Sequence, residues 1–365
     1  MRERNEACVE SRGALGRRSS RSPVLWAGAC LLGGSVFASS GLGAETNPLG
    51  TIRLASGRTL EGVEIVQARW DGVQYRQKGG PPVMQPGAQV LSIERKSDLM
   101  SAIRRLVESG DLSRAAETIK TVPANQSWAA AEGMVLLAEA YQSAGKSKEA
   151  IQVYRDYLAK YKPEKDWFVP QATLGLADAF LAANQPGTAA VHYKELQQYG
   201  PRWELYAKLG QGAALLKEKG ASSALEARRL FDEVLRSRTA TLELRQKALV
   251  GRARAYLLQG QNDQVVKELS EGMFDSPKPE ELAYSAERAE ASLLMGRAYM
   301  AMGGKENLER AEIWLLRVPA LYGRHAGAYA QACDALVEVY AKLKNEARAA
   351  EWKRRKSAGS PGGGA

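Results

Sequence analysis

A sequence pattern that recurs roughly every forty residues limits the fold of this chain more than any other feature. Each copy has a small residue, a large apolar or aromatic residue three positions later, a turn, and a second small residue before another large side chain. The clearest copy consists of Ala138, Tyr141, Gly145, Ala150 and Tyr154. Counted from the small residue, the copies start at Ala138, Ala177, Gly212, Ala253, Gly296 and Val337, at intervals of 35 to 43 residues. A degenerate copy around Leu106 precedes them.

These residue types suit a hairpin of two helices. A small residue and an aromatic residue three positions later lie on one helix face, so a second helix can pack closely beside the ring. Glycines at the turns, such as Gly145, Gly260 and Gly303, supply the positive φ that ends the first helix. Prolines follow the second helices and are expected to stop them: Pro163, Pro201, Pro277 and Pro319. A single hairpin cannot bury its apolar face, so the copies are expected to stack into a superhelix.

The repeat resembles the tetratricopeptide repeat (TPR) family over roughly residues 98–356. The resemblance is carried by Leu137, Ala138, Tyr141, Gly145, Ala150, Tyr154 and Pro163. Family repeats have about 34 residues, so the longer copies here are degenerate, and an irregular helical bundle is the alternative. The resemblance implies a mainly α protein, an α-solenoid of about six to seven helical hairpins preceded by a small β-barrel-like module. It also implies a non-catalytic scaffold that binds a protein or peptide.

In TPR proteins the binding groove is lined by first-helix positions −6, +1 and +4 relative to the small residue. Carried onto this chain, the resemblance implies these candidate protein-binding residues: Glu132, Glu139, Asp178, Tyr206, Lys247, Arg254 and Arg297. The groove would be acidic first and basic later, which would orient an extended peptide. The alternative is that charged helix surfaces produce this split by chance. The Lys and Asn set of the carboxylate-clamp subfamily is missing, so capture of a C-terminal carboxylate is not expected.

Residues 1–44 have the features of an export signal. Arg17, Arg18 and Arg21 precede an uncharged stretch of apolar and small residues that reaches Ala44. Cleavage after Ala44 would give a periplasmic or extracellular protein. Two alternatives remain open: retention of residues 23–44 as a membrane anchor, since roughly 20 residues span a bilayer, and lipidation at Cys30. Membrane contact is expected only through this segment, if it is uncleaved.

Residues 45–96 predict a small β module. Short alternating runs separated by Gly and Pro turns indicate four or five strands. The motif Ile-x-Leu-x-x-Gly-x-x-Leu-x-Gly over 52–62 resembles the opening strands of Sm-like and SH3-like barrels. So small a module buries little core alone, and we expect it to pack on the first helical hairpin, which would begin with Asp98 as N-cap. The helical domain is expected over 97–356, before a disordered Gly-rich tail over 357–365.

No motif for catalysis, metal binding or cofactor binding is recognisable. The only histidines of the sequence, His192 and His325, lie near no Ser or Cys nucleophile motif. A phosphate-binding Gly-x-x-x-x-Gly-Lys loop is missing from the sequence. We therefore expect neither an enzyme nor a bound cofactor or metal.

The charge of the chain leaves one alternative function. The formal net charge is +10, and four basic residues follow one another from Lys353 to Lys356 in the last predicted helix. Such a cluster usually complements the helix dipole. The alternative function is a subunit that binds an envelope polymer or nucleic acid through this helix and the β module. We do not expect nucleic acid as the partner; strong salt dependence of binding would favour that alternative.

Overall fold

The computed structural model describes residues 48–218, 220–275 and 284–359. In these ranges a five-stranded sheet is followed by fourteen α-helices. The predicted export signal over 1–44 and the last six residues of the predicted tail lie outside the described residues. Among the helices that are described, none is long and apolar enough to span a membrane.

The described helices form seven consecutive hairpins in a TPR-like solenoid, as the repeat predicts. In chain order they are α1 (Asp98–Glu108), α2 (Leu112–Lys120), α3 (Ser127–Ser143), α4 (Ser147–Tyr161), α5 (Val169–Ala182), α6 (Pro186–Glu195), α7 (Pro201–Lys217), α8 (Ala221–Arg236), α9 (Leu242–Leu258), α10 (Asn262–Leu269), α11 (Ala286–Met302), α12 (Lys305–Leu321), α13 (Ala326–Lys342) and α14 (Glu346–Ala358). Each odd-numbered helix is the first helix of a hairpin, and the even-numbered helix after it is the second.

Small residues allow the helices of neighbouring hairpins to pack closely. A Cβ atom on Gly175 of α5 would lie 2.3 Å from the ring of Tyr154 on α4, so only glycine fits beside that ring. The alanines predicted at the crossings of second helices are all fully buried: Ala150, Ala189, Ala227 and Ala311. Close contact at these positions explains why the pattern keeps small residues there.

The turns inside the hairpins follow the predicted conformation. Gly145, Gly260 and Gly303 have φ values of 71°, 72° and 71°. Asn184 and Lys344 take the same left-handed conformation, with φ values of 59° and 58°. Asparagine tolerates this region, whereas the lysine adopts it at a small energetic cost.

The prolines stop helices less regularly than the sequence suggests. Pro163 follows the end of α4, but Pro201 is the first residue of α7. Pro319 lies inside α12, which continues to Leu321. Proline at a first helical position loses no hydrogen bond, and near the last turn it removes a single bond. Pro277 lies outside the described residues.

The β module is an antiparallel sheet with the strand order β4-β3-β2-β1-β5. Its strands are β1 (Leu49–Leu54), β2 (Thr59–Arg69), β3 (Gly72–Arg76), β4 (Val83–Pro86) and β5 (Val90–Arg95). Ile52, Val63 and Val73 are fully buried in its core, and Trp167, from the loop between α4 and α5, packs against this core. A loop of the helical domain therefore supplies part of the core of the sheet.

The sheet contacts helices further along the chain than the first hairpin. The ring of Trp70 meets the ring of Tyr199 edge to face, with centroids 5.1 Å apart. The guanidinium of Arg95, a buried residue, lies 5.2 Å from the ring centre of Trp128 on α3. Sequence proximity suggested packing on the first hairpin, and these aromatic contacts extend the packing of the sheet to later parts of the helical domain.

The N-cap of α1 lies one residue earlier than predicted. The hydroxyl of Ser97 accepts a hydrogen bond from the Met100 N–H at 3.0 Å, so Ser97 is the N-cap. Asp98, the predicted cap, is the first helical residue, where its negative charge suits the positive end of the helix dipole. At the other end of the chain, α14 continues to Ala358, past the predicted boundary at 356.

Candidate functional site

A groove runs across the first helices of the last five hairpins. Its first pocket has a volume of about 320 Å³ and lies between α5, α7, α9 and α11. Its second pocket, of about 550 Å³, continues over α7, α9, α11 and the start of α13. The two pockets share Ala213, Arg254, Ala286 and Glu290 in their walls. They therefore form one continuous surface, called the groove below.

The predicted binding residues fall into two groups. The first pocket is lined by four of them: Asp178, Tyr206, Lys247 and Arg254. Arg297 lines the second pocket. Glu132 and Glu139 line neither pocket. Glu132 is buried on α3 and forms an ion pair with Arg104 of α1 at 2.6 Å, which uses its charge inside the fold.

Polar contacts join neighbouring first helices in a ladder. In each rung, the residue one position after the small residue of one repeat meets the residue six positions before the small residue of the next. The described rungs are Glu139–Gln171 at 2.6 Å, Arg254–Glu290, and Arg297–Gln331 at 3.1 Å. Several predicted binding residues therefore hold adjacent repeats together.

The ladder is interrupted around α7, where the first pocket lies. On α5 the rung position is Asp178, which accepts a hydrogen bond from the hydroxyl of Tyr193 on α6. On α7 the rung position is Ala213, whose side chain has no polar group. Lys247 of α9 therefore forms no rung with α7, and its ammonium donates to Glu243 on its own helix at 2.7 Å. Without rungs that cross it, the space between α5, α7 and α9 stays open as the pocket.

Glycine residues deepen the first pocket. Gly210 and Gly251 are among its lining residues. A Cβ atom on Gly210 would lie 2.1 Å from the ring of Tyr193, and one on Gly251 would lie 2.5 Å from the ring of Phe231. The aromatic rings of the second helices thus reach the floor of the groove.

Burial controls the protonation of Asp178. Loss of solvation raises the pKa of its carboxyl to about 6, although the hydrogen bond from Tyr193 and the charge of Lys247 lower it. Burial also disfavours the charged form of Lys247, but the bond to Glu243 and the charges of Glu243 and Glu287 keep the pKa of its ammonium above the usual value. At neutral pH the pocket therefore holds a lysinium and a carboxylate that is close to its titration range.

The pocket contains groups that the sequence pattern did not indicate. Glu290 holds the −6 position and could have been found by the positional rule that indicated Lys247, but it was not among the predicted residues. Tyr193 is on a second helix, to which that rule does not apply. Glu287 and Ala213 became relevant only once the folded chain placed α7, α9 and α11 side by side.

The two histidines take part in local contacts. The ring of His192 stacks on Phe180, with centroids 5.4 Å apart, and burial lowers the pKa of its imidazole. The Nε2 atom of His325 lies 3.1 Å from the carbonyl oxygen of Tyr284. Within the described ranges, no group of three or more His, Cys, Asp or Glu side chains is arranged to hold a metal ion.

Comparison with known structures supports the fold class. No protein-family model matches the chain, and no curated protein matches it. A tetratricopeptide repeat protein from Parabacteroides merdae is similar over 72% of this chain and 91% of that chain, with a TM-score of 0.51 and 17% identity. NprR in complex with its cognate peptide NprX is similar over 71% of this chain and 75% of that chain, with a TM-score of 0.48 and 13% identity. The first of these two similarities, together with the seven helical hairpins, shows that the helical part of the chain has a TPR-like fold.

Proposed function

We propose that this protein is an exported, non-catalytic scaffold that binds an extended segment of a partner protein in the groove. The observation that carries the proposal is the interruption of the ladder at α7. Elsewhere polar side chains connect one first helix to the next, whereas at α7 a small residue leaves a pocket that opens into a second one.

The shape of the groove suits an extended chain. Two connected pockets that cross several parallel helices offer space along a line, whereas small-molecule sites are usually single concave cavities. An extended peptide points alternate side chains to opposite sides, so one set of side chains enters the pockets while the other faces solvent. Apolar walls with charged groups between them are the usual composition of such surfaces.

The test of the groove is substitution of Ala213 in the wall shared by both pockets. We expect Ala213→Arg to fill the groove and to abolish partner capture when the mature protein is used as bait in an envelope extract. Ala350→Arg, on the exposed face of α14, is the matched control and should leave capture unchanged. Equal capture by both variants, with melting temperatures like that of the wild type, would contradict a groove site.

The basic end of α14 provides a second arm of this test. Lys356 pairs with Asp334 at 2.7 Å and Arg355 with Glu351 at 2.6 Å, so half of the basic cluster is already neutralised by its own chain. Reversing the exposed Lys353 to Glu together with Arg354→Glu should therefore leave capture intact. Loss of capture from this pair alone, with strong salt dependence, would favour the polymer-binding alternative.

The export part of the proposal rests on the sequence of residues 1–44. Cleavage after Ala44 would make Glu45 the first residue of the mature protein. N-terminal sequencing of protein isolated from the envelope fraction tests this directly. Recovery of Arg2 or Arg4 at the N-terminus would contradict cleavage, and a lipid on Cys30 would replace the soluble form by an anchored one.

A further inference from the structure

We propose that the first pocket anchors a basic side chain, lysine or arginine, of the bound segment. This inference rests on the proposed function and specifies the chemistry of the partner. The inference is carried by the balance of charged groups around the pocket, by the nature of its walls and by the position of one half-buried carboxylate, that of Asp178.

The charged groups of the first pocket leave a surplus of carboxylates. Among the described residues that line it, the cations are Lys247 and Arg254, and each is paired with a carboxylate. Two further lining carboxylates, Asp178 and Glu287, belong to no ion pair within the described ranges. A cation that enters the pocket would meet these two carboxylates, so the pocket is complementary to positive charge.

The walls suit the long stem of a basic side chain. Leucine and valine residues from α5, α7 and α9 line the pocket together with two tyrosine rings: Leu174, Leu181, Leu209, Val250, Tyr193 and Tyr206. Lysine and arginine bury their methylene groups against apolar surface and keep the charged end near polar groups. The face of a tyrosine ring attracts a cation as well.

A bound cation would stabilise the carboxylate of Asp178. Its carboxylate is desolvated and bonded to a neutral hydroxyl, and the nearby ammonium of Lys247 is bonded to Glu243. The phenol of Tyr154 on α4 also lies close enough to be affected by its charge. A desolvated carboxylate without an ion-pair partner is costly, and a ligand cation would compensate part of that cost.

An acidic anchor fits the pocket less well. It would have to draw Lys247 away from Glu243 or Arg254 away from Glu290. It would also place another negative charge beside Asp178. Both effects oppose binding, because like charges repel strongly in a partly desolvated site.

The experiment is selection from a random nine-residue peptide library, followed by affinity measurements. We expect the wild-type protein to select peptides with lysine or arginine at one fixed position. Replacing that residue by norleucine should weaken binding about tenfold, the loss typical of a hydrogen bond to a charged group. In the variant carrying Asp178→Asn and Glu287→Gln, the two peptides should bind equally within about twofold.

The control is Glu226→Gln, an exposed position on α8, which should keep the full preference for the basic residue. If Asp178→Asn impairs folding, Glu287→Gln alone should reduce the preference. Selection of peptides without a conserved basic residue would overturn this inference and leave the proposed function standing. Selection of no peptide at all would overturn both. A preference that survives in the double variant would exclude the first pocket as the anchor site.

Discussion

Asp178 occupies a position in which burial works against its own charge. Its pKa is raised from 3.8 to about 6 by desolvation, which the hydrogen bond from Tyr193 offsets only in part. A folded-state pKa above the unfolded value means that the folded protein binds the proton more tightly. The cost to stability is therefore fully present above pH 6 and disappears as the pH falls towards 4. The desolvated carboxylate thus lowers the stability of the fold, and a ligand cation beside it would offset part of this destabilisation.

This environment predicts the behaviour of Asp178→Asn. At pH 7.5 the variant should melt at a higher temperature than the wild type, by the equivalent of roughly 3 kcal/mol, because a neutral amide avoids the desolvation cost. The difference should shrink as the pH is lowered to 4.5. Thermal melts at both pH values measure this, with Glu226→Gln as the control. A difference that grows on acidification would mean that the fold stabilises the Asp178 carboxylate.

Gly210 provides a steric test at the residue scale. Because a Cβ atom there would lie 2.1 Å from the Tyr193 ring, Gly210→Ala should lower the free energy of unfolding by about 1–3 kcal/mol, as overpacking usually does. Gly187 of α6 has no atom within 4 Å of its hypothetical Cβ. Gly187→Ala should thus be neutral or stabilising by up to about 1 kcal/mol, since alanine favours helices. Similar destabilisation of both variants in urea unfolding would show that the contact with Tyr193 is not what requires glycine.

At the scale of helices and strands, the local sequence pattern predicted the hairpins but not the interruption of the polar ladder at α7. The spacing from Ala138 through Gly145 to Ala150 determines the first helix, the turn and the helix crossing within one stretch of chain. The hairpin can therefore be predicted from the sequence. The pocket depends on a missing polar group at Ala213 and on a bond that draws Asp178 towards α6. A pattern of residue types does not show which of two available partners a side chain takes.

The start of α1 gives a prediction for a single element. The Ser97 hydroxyl accepts from the Met100 N–H, so Ser97→Ala should destabilise the helix by about 1 kcal/mol. Ser101→Ala is the control, because the Ser101 hydroxyl donates to the carbonyl oxygen of Ser97 and caps no N–H group. Hydrogen exchange of the α1 amides should accelerate in the first variant only. Unchanged exchange in Ser97→Ala would show that Asp98 supports the start of the helix.

At the scale of the whole molecule, the sheet and the helices share their apolar cores. Trp70 from the sheet packs on Tyr199, and Trp167 from the helical part covers the core of the sheet. These contacts join residues separated by many positions in the sequence. Neither the motif over 52–62 nor the helical repeat contains information about them, which is why the sequence predicted a sheet and helices but not these contacts. The groove lies on first helices from α5 onward and so belongs to the repeats themselves.

The central claim is that a partner segment lies in the groove at the interruption of the ladder. Site-specific photo-crosslinking tests it most directly, with a benzophenone amino acid at position 213 and, as the matched control, at position 350. We expect that position 213 crosslinks to the captured partner, that position 350 does not, and that the partner peptide recovered from the crosslink carries a lysine or arginine close to the attachment point. Crosslinking from position 350 with none from position 213 would contradict it.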